Sequence, residues 1–319
     1  MTDPVFVAAK QRFLMQATKL SENASASKIT AGLILGRNEQ TDMAKQKRRR
    51  GIVGRSRRVA LVSFCLQMAF SGAASWPAAA QTADEIVAKV VAARGGLERA
   101  KAVQSERISG TIYFTPELYG PFVAEFKRPG KMHNEVTIQE KKVVRTLNGK
   151  GAGWVINPFA GKDAPVAMSE DEIKEAKDES DFDGPLIDSK AKGMTIEYGG
   201  TEKVEGRDTY ILKVTHKDGT VSSYSIDAKT YLLAKWSGSD SVNGETVARE
   251  TLFHDYREVG GLKFAFELVS SNPGTEITQR IVVEKIQLDP QIDEWHFEKP
   301  SAPASVPAGD PPSGPLGKR

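Results

Sequence analysis

The chain contains a single cysteine, Cys65, which lies within its first 80 residues. If that leader is removed, the remaining chain carries no thiol, so we expect neither disulfides nor thiol chemistry. A cysteine-free chain suits an oxidising compartment because it cannot form mispaired disulfides. Phe64 stands where a lipoprotein signal needs a small residue, so we predict no lipid attachment at Cys65.

Motifs for catalysis and metal binding are also scarce. The four histidines, His133, His216, His254 and His296, show no metal-ligand spacing. The sequence contains neither a nucleophile elbow nor a phosphate-binding loop, and the acidic residues 178–183 lack the calcium-loop pattern. We therefore predict no catalytic residue, no metal site and no cofactor, and we expect that the protein is not an enzyme.

Basic residues are concentrated at the N-terminus. Residues 1–80 contain 13 Lys and Arg against 4 Asp and Glu, whereas the rest contains 31 basic and 37 acidic residues. The formal net charge of +3 therefore belongs to the leader. The body is mildly acidic and has no basic stripe, which argues against nucleic acid as a partner.

The leader has the three parts of a secretory signal. A basic run at residues 45–58 precedes the apolar stretch Val59–Trp76, and a small-residue cleavage site ends at Ala80. The alternative is a membrane anchor, but Ser, Gly and Pro interrupt the apolar stretch. We favour cleavage after Ala80 and predict a periplasmic protein.

Composition divides the chain into four parts. Met43 is a plausible start, which makes residues 1–42 a non-native or disordered extension and residues 43–80 the signal peptide. Residues 81–300 form the folded domain. Residues 301–319 are rich in Pro, Gly, Ser and Ala without periodicity and are predicted to be a disordered tail.

The folded domain opens with helices. Thr82 and Glu85 form a capping box, apolar residues follow at helical spacing, and Gly95-Gly96 supplies a C-cap. A short second helix is predicted over residues 97–103.

Residues 168–192 form an acidic segment in the middle of the chain. Ser169 and Glu172 form a second capping box, and residues 181–187 are predicted to make a turn and a second helical piece that ends at Gly193. The segment could be a surface excursion or a lid, and the sequence alone slightly favours the excursion.

Elsewhere the hydrophobic period is two and the loops are short. Asp218-Gly219 is the strongest hairpin signal, and Gly260-Gly261 marks another turn. About eleven strands are predicted in a single antiparallel sheet. So large a sheet curls, so we predict a mainly β (α+β) fold: an open half-barrel whose concave side is covered by the N-terminal and mid-chain helices.

Some strands are apolar on both faces. Leu232, Ala234 and Trp236 are predicted to point one way and Tyr231 and Leu233 the other. A sheet that is half-buried would alternate more cleanly, so either helices cover the second face or it lines a cavity.

Aromatic residues are spread over many of these strands. Their ordinary role is core packing; their functional role would be to line a cleft for acyl chains. The predicted ligand-binding residues are Phe114, Phe122, Phe126, Trp154, Tyr224, Trp236, Phe253 and Phe266.

Several blocks of the sequence resemble the LolA/LolB-like outer membrane lipoprotein-sorting family in order and spacing. They are residues 82–87 (TADEIV), 93–97 (ARGGL), Val204–Leu212, Tyr224–Leu233, Asp255–Phe264 and Phe297–Pro300. The resemblance covers nearly the whole of residues 81–300. It implies an incomplete antiparallel barrel closed by helices, as the strand pattern independently predicts.

The resemblance also implies a function, although fold alone does not fix one. It suggests a monomeric periplasmic carrier that binds lipid or lipoprotein acyl chains. The alternatives are a sensor or interaction module that regulates an envelope protein and, less favoured, a hydrolase. The family's lid-contacting arginine cannot be assigned to any residue from the sequence.

Overall fold

The structure is a computed structural model that describes residues 81–181, 183–242, 245–272 and 278–301. The predicted extension (1–42), the signal peptide (43–80) and all of the predicted tail after residue 301 lie outside the described residues.

Three helices, thirteen strands and two short 3₁₀ turns make up the described part of the chain. They are α1 (Ala83–Ala93), α2 (Leu97–Ala102), β1 (Ser105–Tyr113), β2 (Tyr119–Lys127), β3 (Lys131–Ile138), β4 (Lys141–Asn148), β5 (Gly153–Asn157), a 3₁₀ turn (Pro158–Ala160), β6 (Lys162–Ala167), α3 (Glu170–Glu179), β7 (Thr195–Val204), β8 (Arg207–Thr215), β9 (Val221–Asp227), β10 (Leu233–Val242), β11 (Glu245–Val259), β12 (Leu262–Ser271), β13 (Thr278–Leu288) and a second 3₁₀ turn (Glu294–Phe297).

All the strands belong to one antiparallel sheet, in the order β6-β5-β4-β3-β2-β1-β13-β12-β11-β10-β9-β8-β7. Except for β6 and β7, neighbours in sequence pair through short loops, and the first and last strands pair at the centre. Within the described residues the edge strands β6 and β7 do not pair with each other. The sheet is therefore open, and the predicted half-barrel is confirmed.

The sheet has thirteen strands where about eleven are predicted, and β6 is one that the sequence pattern misses. Most of its residues are exposed, so it lacks the alternation that marks a half-buried strand. It also contains Pro165, which cannot donate a ladder hydrogen bond. An edge strand tolerates such a residue because one side of it has no neighbouring strand.

The helices pack on one face of the sheet. Buried apolar residues of the strands form a single cluster with Ile86 and Val90 of α1, Ala100 of α2 and Ala176 of α3. We call the face that carries this cluster the inner face and the opposite one the outer face. The predicted covering of one side by N-terminal and mid-chain helices is confirmed.

Both predicted capping boxes are present. The Thr82 hydroxyl accepts a hydrogen bond from the Glu85 backbone N–H, and the Ser169 hydroxyl accepts one from that of Glu172, each at 3.2 Å. These local signals depend only on residues within one turn of helix, which is why the sequence reveals them.

A close backbone approach joins α1 to the sheet. Gly95 has a φ of +116°, and a Cβ there would lie 2.1 Å from the carbonyl oxygen of Gly261. The Lys263 N–H donates to the Arg94 carbonyl at 3.0 Å beside it. Glycine is needed because both the dihedral angle and the space exclude a side chain.

The structure corrects two local predictions. Beyond α3, residues 183–193 form turns and bends without the second helical piece, because Gly184 and Pro185 interrupt it. In β10 the pairing shifts between Leu233 and Lys235. This irregularity lets both Leu233 and Trp236 enter the inner cluster, so these two residues do not point to opposite faces.

Candidate functional site: the inner face and its cover

Seven of the eight predicted ligand-binding aromatic residues meet in the inner cluster. None is more than 5 % exposed. They are Phe114, Phe122, Phe126, Tyr224, Trp236, Phe253 and Phe266. The Trp236 indole N–H donates to the Tyr224 hydroxyl at 3.2 Å, which satisfies a polar group within the wall. The inner face therefore presents an extended aromatic and aliphatic surface to the helices.

Trp154 is the exception among the predicted ligand-binding residues. It is only partly buried and lies outside the cluster. Its cross-strand partner is Thr146, whereas the adjacent Arg145 pairs with Val155. Because successive residues of a strand face opposite sides, Trp154 lies on the face opposite Arg145. Trp154 is therefore not part of the inner face.

Arg145 joins the inner face to helix α3. It lies on β4 between Val143 and Leu147, both members of the inner cluster. Its Nη1 donates to both carboxylate oxygens of Glu179 at 2.8 Å. The two side chains are 2 % and 0 % exposed. A fully buried ion pair therefore connects the sheet to the last residue of α3.

Sequence reasoning missed this pair. The only local signal is a charged residue inside a run that is buried on both faces, from Val143 to Asn148. The partner, Glu179, lies 34 residues away in an acidic helix whose charges are otherwise solvated. Removing one member of a buried pair typically costs about 3–5 kcal/mol, because the other charge stays desolvated.

We call residues 168–192, which include α3, the cover segment. Leu186 and Ile187 of this segment are buried in the inner cluster, so it is more than a surface excursion. Further ion pairs hold it in place. They are Arg128–Asp183, Lys101–Asp188 and Lys174–Asp218, each at 2.9 Å, whereas Lys192–Asp181 at 2.5 Å is a pair within the segment.

The best-formed of these outer pairs is that of Arg128 and Asp183. Both terminal nitrogens of Arg128 donate to the carboxylate, at 2.9 and 3.1 Å. Burial opposes ionisation of Asp183, but the hydrogen bonds and charge of Arg128 outweigh it and lower the pKa of Asp183 below its ordinary value.

Asn134 is a polar residue in an otherwise apolar part of the wall. It lies on β3 opposite Ala124 on one side and Arg145 on the other, between Met132 and Val136 on its own strand. It is 0 % exposed, and neither its amide nitrogen nor its oxygen has a hydrogen-bond partner among the described residues. A buried polar group left unpaired costs about 1–3 kcal/mol.

The outer face of the same strands carries a second polar cluster. Glu125 is 2 % exposed. One of its oxygens accepts from Arg107 Nε at 2.6 Å, and the other lies 2.8 Å from Nδ1 of His296. His133 is the neighbour of Glu125 on β3. Burial lowers the pKa of His133 below its ordinary value, against the opposing charge of Glu125.

The second 3₁₀ turn (Glu294–Phe297) lies against this cluster. Lys127 and Lys131 contact the Glu294 carboxylate at 2.7 and 2.5 Å. Their hydrogen bonds lower the pKa of Glu294 to about 2, although the side chain is 60 % exposed. The adjacent Trp295 is 68 % exposed. The turn therefore faces water, whereas Glu125 of the outer cluster is buried.

Two features are absent from the described residues, a helix able to span a membrane and a cluster able to hold a metal ion. None of the helices in them is both long and apolar enough to span a membrane. Nor do they contain three or more His, Cys, Asp or Glu side chains grouped so as to hold a metal ion.

No protein-family model and no curated protein matches the chain. Among solved structures it is similar to a DUF1329 family protein from Desulfovibrio piger (12% identity, 68% of this chain and 97% of that one, TM-score 0.44). It is also similar to a putative outer membrane lipoprotein-sorting protein domain from Vibrio parahaemolyticus (13%, 68% and 96%, TM-score 0.44). A LolA superfamily protein from Nitrosomonas europaea is a third (13%, 69% and 99%, TM-score 0.43). These are likenesses at low sequence identity.

Proposed function

We propose that this protein is a periplasmic carrier that binds the acyl chains of lipids or lipoproteins between the inner face of the sheet and the cover segment. The aromatic residues of the inner cluster would contact the chain. The inner face carries a Ser–His contact, Ser222 Oγ to His216 Nε2 at 2.8 Å, but Ser222 is only 4 % exposed, so we favour binding over catalysis.

One observation carries the proposal: an apolar wall is covered by a segment that is held by ion pairs as well as by the buried apolar residues Met168, Ala176, Leu186 and Ile187. Helix α3 contributes only Ala176 as a buried apolar residue, with Ile173 partly buried. The pairs at Asp183 and Asp188 are part-exposed, so water can solvate these charges when the segment moves away. Opening the cover would also separate the buried Arg145–Glu179 pair, and it would expose apolar surface that an acyl chain can bury.

Secretion belongs to the same proposal. Cleavage after Ala80 would leave Gln81 as the first residue of the mature chain. Gln81 is already part of the folded unit, since its amide nitrogen donates to the Tyr231 hydroxyl at 3.2 Å. The mass of the protein recovered from the periplasm tests the boundary, because it should correspond to a chain that begins at Gln81.

Native mass spectrometry of protein purified from the periplasm tests the binding function. We expect adducts with the masses of acyl lipids or acylated peptides, their loss on delipidation, and their return when envelope lipid is added. If the purified protein is free of lipid and takes up none, the carrier function is wrong. Recovery of one stable protein partner without lipid would favour the sensor alternative.

A further inference from the structure

The unpaired amide of Asn134 points to the chemistry of the ligand. A wall built only to hold hydrocarbon gains nothing from a buried amide, since leucine would fill the position without unpaired polar atoms. Asn134 lies in the middle of the inner face of β3, between the buried apolar residues Met132 and Val136. Its neighbour on β2 is Ala124, the smallest side chain in this part of the wall.

We propose that the Asn134 amide hydrogen-bonds the carbonyl group through which an acyl chain is attached to its carrier molecule, as an ester or an amide. The inference rests on the function proposed above and adds the class of ligand. The amide N–H group donates to the carbonyl oxygen. The amide oxygen can in addition accept from the N–H of an amide-linked chain.

The surrounding charges favour a neutral group over an anion. The nearest cation on the wall is Arg145, and both oxygens of Glu179 already accept from it. A carboxylate or phosphate at this depth would lose its hydration without gaining a new counter-charge. An ester or amide carbonyl needs only the neutral donor that Asn134 supplies. We therefore expect acyl esters and amides to bind better than ligands that lack this carbonyl.

Two matched ligands isolate the carbonyl. 1-Dodecanoyl-lysophosphocholine and 1-O-dodecyl-lysophosphocholine have the same chain length and head group, and only the first has a carbonyl. Titration calorimetry of each, below its micelle concentration, gives the two affinities for the delipidated protein. We expect the wild type to bind the acyl form about fivefold to tenfold more tightly, as one buried hydrogen bond allows.

Variants assign the preference to one residue. Asn134→Leu should bind the two ligands alike, at the affinity of the ether, and should unfold at a temperature no lower than the wild type. Met132→Leu, two residues along the same strand, is the packing control and should keep the preference. If Asn134→Leu fails to fold, the ratio of the wild-type affinities for the acyl and ether ligands tests the proposal without it.

Each remaining result overturns a stated claim. Equal affinities in the wild type, or a preference that persists in Asn134→Leu, would remove Asn134 as the carbonyl site and leave the carrier function standing. Equal affinities together with a less stable Asn134→Leu would show that the amide holds a structural water. Failure of both ligands to bind would overturn the carrier function itself.

Discussion

Strands β2 to β5 carry two rows of side chains at adjacent positions, one row on each face of the sheet. The inner row is Ala124, Asn134, Arg145 and Val155, and the outer row is Glu125, His133, Thr146 and Trp154. Each row contains an ionic residue held by an opposite charge. The difference lies in how much water each pair retains.

On the inner face, Arg145 and Glu179 are 2 % and 0 % exposed. On the outer face, Glu125 is buried, but Arg107 and His296 are 31 % and 26 % exposed. Two charges that are removed from water attract each other strongly, and each is destabilising if its partner is lost. A charge that keeps part of its hydration is stabilised by water when its partner is lost. Loss of a charge from the inner pair should therefore reduce folding stability more than loss of a charge from the outer pair.

The largest effect is expected for Arg145→Met. It leaves the Glu179 carboxylate buried without its counter-charge, and we expect the free energy of unfolding to fall by about 3–5 kcal/mol. Urea unfolding measures it. The matched control is the double variant Arg145→Met with Glu179→Leu, which should recover most of the loss because no charge remains buried. A single variant as stable as the wild type would show that the inner pair is solvated.

A smaller loss is expected for Glu125→Gln on the outer face. The substitution removes one charge but keeps the shape, and Arg107 and His296 can turn toward water. We expect a decrease of about 1–3 kcal/mol, the range for hydrogen bonds to charged groups. A decrease equal to that of Arg145→Met would abolish the proposed contrast between the faces.

His133 should make stability depend on pH. Its pKa is lowered in the folded state, chiefly by burial, although Glu125 and Glu135 oppose this and His296 adds to it. As the pH falls below about 6.5, His133 therefore takes up a proton in the unfolded chain before it does so in the folded protein. The contribution of neutral His133 to folding stability is present above that pH and is lost as the pH falls toward the lower pKa of the folded state.

Unfolding of His133→Gln at pH 7 and pH 5 checks the direction. We expect the variant to lose less stability between the two values than the wild type does. An unchanged pH dependence in His133→Gln would show that burial of this imidazole does not govern it.

The smallest effect is expected for Glu294→Gln. Hydrogen bonds from Lys127 and Lys131 lower the pKa of Glu294 to about 2. The contribution of this carboxylate to folding stability would therefore be present above about pH 4.5 and would be lost as the pH falls toward about 2. The carboxylate is 60 % exposed, however, and solvent screens it. We expect the melting temperature at pH 7 to match the wild type. A shift comparable to that of Glu125→Gln would contradict this.

What the sequence predicts correctly is local. The capping boxes at Thr82 and Ser169 are found as expected, and the Asp218-Gly219 hairpin joins β8 to β9. Each is determined by residues within a few positions of one another. The half-barrel is also predicted correctly, because a short loop can join two neighbouring strands only in antiparallel orientation.

What the sequence misses depends on tertiary context. The shift in β10 brings Leu233 and Trp236 to one face, and no local pattern marks it. The site residues divide in the same way. Hydrophobicity identifies the aromatic residues of the inner cluster, but the Arg145–Glu179 pair and the unpaired amide of Asn134 become visible only once strands and cover segment are assembled.

The most direct test of the account is contact between an acyl chain and the inner face. The chain has four tryptophans, at positions 76, 154, 236 and 295. Trp236 is buried in the inner cluster and Trp295 is exposed on the outer side. Single-tryptophan variants, with the other three changed to Phe, can be titrated with a lysophospholipid whose acyl chain is brominated, since bromine quenches indole fluorescence on contact. The account predicts saturable quenching of Trp236 and none of Trp295; quenching of Trp295 alone, or of neither, would contradict it.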